Sequence, residues 1–80
     1  MKVIYNKFFI KNVWPKCVEV RGNVKLLNIN QFVLNTTTMQ WYKIVELCDE
    51  FIQLVHISFD VPEYSKYIFN VGDMLLVPKC

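Results

Sequence analysis

Four groups of side chains in this sequence have types that could do chemistry: His56 with Ser58, the acidic pairs Asp49/Glu50 and Asp60/Glu63, and the cysteines 17, 48 and 80. His56 and Ser58 suggest a nucleophile and its base. They sit two positions apart in a segment of strand-forming residues, but no glycine elbow surrounds Ser58 to present it as a nucleophile. Paired-carboxylate chemistry needs two groups converging on one cleft, and neighbours on one element do not converge. The acids read as a solvated helix end and loop. The three cysteines are far apart and odd in number, with no Cys-x-x-Cys or Cys/His spacing. Neither a disulfide framework nor a zinc site is indicated, and reduced, mostly buried thiols are expected. The reading is therefore non-enzymatic, with no cofactor, no metal and no small-molecule substrate.

Binding chemistry is the next possibility. Gly22 and Gly72 stand alone, outside any glycine-rich phosphate loop. Nine basic residues face seven acidic ones, a balance of +2, and the lysines are scattered along the chain. That is too mild to imply nucleic acid or an anionic membrane. No apolar run is long enough for a membrane span, and the N-terminus lacks an export signal. The aromatic residues, 15% of the chain, fit either base stacking or a protein-protein surface. Without a basic groove the second fits better. Trp14 and Tyr64 fall in connectors and are candidate contacts. An apolar content of 54% is high for 80 residues, because a small domain has much surface for its volume. It implies a subunit that completes its burial against partners.

The elements that would position these residues follow from pattern. Residues 3–10 are rich in β-branched and aromatic types and read as a strand. Residues 12–16 form a connector, where Pro15 holds Trp14 extended. Residues 17–27 read as a hairpin around Arg21-Gly22-Asn23. Val20 then faces Val24, Glu19 faces Lys25 and Val18 faces Leu26, with Asn23 in a left-handed conformation. Residues 28–36 are ambiguous, with Ile29, Phe32 and Val33 fitting one helical turn. Residues 38–49 read as a helix, for two reasons. Thr37 and Gln40 form a capping-box pattern, and Trp41, Ile44, Val45 and Cys48 share one face. Residues 51–59 read as a strand, ended by Pro62. Gly72 and Asp73 make a tight turn that feeds a closing strand from Met74 to Val77. The expected fold is α+β: one small β-rich domain over residues 1–80, with one helix.

Two segments taken together carry a resemblance. Residues 41–49, Trp-Tyr-Lys-Ile-Val-Glu-Leu-Cys-Asp, precede residues 69–78, Phe-Asn-Val-Gly-Asp-Met-Leu-Leu-Val-Pro. The pair resembles the end of a LysM-type unit, in the form found in bacteriophage tail and baseplate proteins. Trp41, Tyr42, Ile44, Gly72, Leu75, Val77 and Pro78 occupy the matching positions. An earlier Gly-Asp-x-Leu strand of that family is missing, so no sugar-contact residue is carried over. The resemblance implies a structural subunit of a phage-like virion, in a tail or baseplate. Its partners would be other virion proteins or copies of itself, with no membrane and no nucleic acid. Outside a virion the expected location is cytoplasmic. Trp14, Tyr64, Met74 and Leu76 are the candidate interface residues, with the closing strand's edge open for β-augmentation. The alternative is a small binding module: an SH3-like barrel contacting nucleic acid, or an inhibitor of a host protein.

Overall fold

Alternation organises the first strand and sets the pattern for the rest. Phe8 and Ile10 point inward and are buried, while Tyr5, Lys7, Phe9 and Lys11 point outward. The computed structural model describes residues 4–57 and 69–79. They form six strands: β1 Tyr5–Val13, β2 Val18–Arg21, β3 Phe32–Asn35, β4 Gln40–Cys48, β5 Phe51–His56 and β6 Met74–Pro78. Every pairing is antiparallel. The order around the sheet is β1-β2-β5-β4-β3-β6, and β6 returns to β1, so the barrel is closed.

The interior is filled by one cluster that draws on all six strands. It includes Phe8, Ile10, Val18, Val20, Val33, Tyr42, Ile44, Ile52, Leu54, Leu75 and Val77, with Phe69 entering from the segment before β6. Each such side chain stabilises the fold by about 1.5–3 kcal/mol through burial alone. Tyr42 and Phe69 meet with ring centroids 4.8 Å apart.

The expected α+β class is corrected, because the described residues contain no α-helix. Residues 40–48 are β4. Tyr42 and Ile44 point inward with a period of two, and the register against β5 then shifts between Ile44 and Glu46. The extra residue, Val45, marks a bulge that returns Leu47 to the core. A period of two broken by a bulge imitates a helical period. The β-branched and aromatic content of 41–45 decides for the strand. The segment that carries the capping-box pattern closes a strand turn instead. The Asn35 side-chain oxygen accepts from Thr37 N at 3.0 Å, and Met39 N donates to Asn35 O at 2.7 Å, which closes the β3–β4 turn. The helix half of the LysM-like pattern is therefore a strand.

The hairpin over residues 17–27 is also corrected. β2 turns back on β1 instead: Val18 lies opposite Val13, and Val20 opposite Ile10. Residues 24–26 form a short 3-10 turn. Asn23 is not left-handed, with φ −82, and its side chain accepts from Lys25 N. Glu19 finds Lys11 at 3.6 Å and Asn12 at 2.8 Å, in place of Lys25. Residues 32–35, within the segment whose pattern also fits one helical turn, form β3. β5 covers the first six residues of the strand expected over 51–59. The closing strand forms where expected, as β6, but it has no open edge. Leu76 lies opposite Lys7 on one side and Leu34 on the other, so strand addition there is removed.

Candidate interaction surface

Among the described residues, the buried polar side chains Asn35 and Asp73 serve structure. At one end, the Asp73 carboxylate accepts from the Asn35 side chain at 3.2 Å and from Asn70 N at 3.0 Å. Its other oxygen accepts from the Thr37 hydroxyl at 3.1 Å. Asn35 and Asp73 are both buried. This node ties the β3–β4 turn to the start of β6 and offers no open ligand position. Gly72, beside it, has φ +93, and a Cβ there would meet nothing within 4 Å. Gly22 is different: at φ +151, a Cβ would press on the Phe8 ring, 2.8 Å from Cε1. Its missing side chain lets Phe8 pack.

Among the described residues, those that suggested chemistry do not converge. The His56 ring Nε2–H donates to the Gln40 side-chain oxygen at 2.8 Å, and its ring meets the edge of Tyr42 at 5.5 Å. Ser58, Asp60, Glu63 and Tyr64 lie outside the described residues. Asp49 and Glu50 form the two-residue β4–β5 turn, with Asp49 at φ +52, a conformation that Asp tolerates. Cys17 is half-buried and Cys48 exposed. Burial, and after it the Glu19 carboxylate, push the Cys17 thiol above its ordinary pKa, which disfavours the reactive thiolate. No group of three or more metal-ligating side chains occurs among the described residues.

What the barrel does display is apolar surface on its outside. Residues two apart on β3 and β6 put Phe32 and Leu34, and Leu76 and Pro78, on the outer face. Leu34 lies between Leu76 and Trp41 in the register. Ile57 N donates to Trp41 O, which carries the row across to the end of β5. Phe32, Trp41, Ile57 and Pro78 line a shallow groove there. Phe32 is 55% exposed and Ile57 53%. Lys43, opposite Phe32, is the charged neighbour of this face. Of the expected contacts, Leu76 belongs to it. Met74 sits beside Phe9, on the β1 side. Trp14 is exposed but apart, at the β1–β2 turn, where its N–H donates to Cys17 O. Phe32, Trp41, Ile57 and Pro78 were not singled out as contacts from sequence. The signal was there in Phe32-Val33-Leu34, which is apolar on both faces.

A second groove lies between β1, β2 and the turn before β6, lined by Phe9, Lys11, Arg21, Val71 and Gly72. Comparison with protein-family models, with curated proteins and with solved structures finds no match for this chain. No helix among the described residues is long and apolar enough to cross a membrane.

Proposed function

We propose that this chain is a non-enzymatic structural subunit that packs the apolar outer face of its barrel against other protein surfaces, copies of itself included. The observation that carries the reading is the continuity of Phe32, Trp41, Ile57, Leu76 and Pro78 across neighbouring strands, over a buried Leu34. An apolar patch that spans strands costs free energy in water and is the usual mark of an interface. A phage-like tail or baseplate is the setting suggested by the resemblance of residues 69–78, and the chain would then reside in the virion. In the cytoplasm the same packing would serve a smaller assembly.

A photo-reactive phenylalanine analogue tests this directly. Placed at position 32 it yields a crosslinked dimer on irradiation of the purified protein. Placed at position 16, on the β1–β2 turn, it yields none. Absence of adduct from position 32 overturns the reading.

A further inference from the structure

We propose that the groove between β1, β2 and the turn before β6 binds single-stranded nucleic acid, with Phe9 stacking on a base and Arg21, Lys7 and Lys11 holding phosphates. The site is distinct from the apolar face and does not depend on it. Phe9 lies directly opposite Arg21 in the β1–β2 register, points outward and is 45% exposed. Lys7 and Lys11 stand two positions to either side on the same strand, both exposed. That spacing, about 6.8 Å along a strand, places a cation on each side of the ring at the span of one extended nucleotide.

The lining is one-sided in charge. Phe9, Ile10, Lys11, Arg21, Val71 and Gly72 form it, and among the described residues no carboxylate lines it. Glu19 reaches Lys11 from the neighbouring strand at 3.6 Å, and no carboxylate of the described residues forms an ion pair with Arg21. The opposite wall at Gly72 is bare backbone with open space where a side chain would be. An exposed aromatic ring flanked by cations in a concavity is the arrangement that stacks an unpaired base and neutralises its phosphates. A duplex keeps its bases stacked inside and gives Phe9 nothing to stack on. A second copy of this chain would set cation against cation.

Fluorescence anisotropy of a labelled oligothymidylate of about twelve nucleotides reads the binding, with salt raised from about 50 to about 200 mM. The expected result is saturable binding by the wild type, weakened about tenfold by that salt increase, as neutralisation of two to three phosphates predicts. Arg21→Gln and Phe9→Ala each weaken it by about tenfold. Lys79→Gln, beyond the far end of β6, leaves it within about twofold. Melting temperatures of all three variants confirm that they are folded. Four results would overturn the proposal: no binding at the lower salt, equal losses in Arg21→Gln and Lys79→Gln, no loss in Phe9→Ala, or equal affinity for a duplex of the same length.

Discussion

Asn35 donates its side-chain N–H to the Asp73 carboxylate at 3.2 Å, across 38 positions of sequence and with both residues buried. The bond joins the end of β3 to the residue that precedes β6. Because Asp73 also accepts from Asn70 N and the Thr37 hydroxyl, three donors share one carboxylate. Removing it leaves one buried and two part-buried donors unpaired, which costs more than the bonds themselves contribute. Asp73→Ala is expected to destabilise the barrel by about 2–3 kcal/mol in urea unfolding. A loss below about 0.5 kcal/mol would mean that water satisfies the node.

The two glycines separate conformation from contact. Gly72→Ala meets no atoms and carries only the strain of a positive φ, about 1–2 kcal/mol. Gly22→Ala carries such strain and also drives a methyl into the Phe8 ring, for about 3 kcal/mol or more. Thermal melts of both variants check the order. Equal losses would show that the Phe8 ring gives way without cost.

The cysteines differ in reactivity. Burial, with a smaller push from Glu19, raises the Cys17 thiol pKa, so less thiolate is present near neutrality. In a Cys80→Ser background, iodoacetamide is expected to label exposed Cys48 first and Cys17 several-fold more slowly. The gap should narrow as pH rises through the alkaline range. The sign for stability follows from the same shift. A folded-state thiol pKa above the unfolded one favours folding below the unfolded value, and that contribution is lost as pH climbs through the folded value. Cys17→Ser should therefore flatten the alkaline fall in stability, measured as urea midpoint against pH. An unchanged slope would contradict the burial of this thiol.

How far the sequence is legible depends on how local the signal is. The closing strand was readable because Gly72, Asp73 and Pro78 set its limits from within a few residues. β1 and β5 were readable from β-branched and aromatic content, though β1 runs on to Val13 through residues that read as a connector. β4 was not readable as a strand, because a bulge at Val45 disguised its alternation and the Thr37/Gln40 pair looked like a cap. The residues 17–27 hairpin failed for a non-local reason. Glu19 had a cation available on either side, and Lys11, reached by the β1–β2 turn, took it. The apolar outer face was hidden because Phe32, Val33 and Leu34 are apolar on both faces, and a sequence does not say which face is the core.

A charge placed on the outer face separates packing from folding. Phe32 points outward at 55% exposure, so Phe32→Glu should change the melting temperature little, with a stability cost within about 1 kcal/mol. Trp41→Ala should cost more, because Trp41 is half-buried and lies opposite Leu34. A large loss in Phe32→Glu would show that this side chain serves the fold and not an interface.

Sedimentation velocity over a wide concentration range reads directly whether the outer face packs against copies of the chain. The packing account predicts that the wild-type chain sediments as a monomer when dilute and as a larger species as concentration rises. It predicts that Phe32→Glu stays monomeric throughout while keeping its melting temperature. A wild-type chain that remains a single monomeric species at the highest concentration reached would contradict it. So would a Phe32→Glu variant that associates as the wild type does.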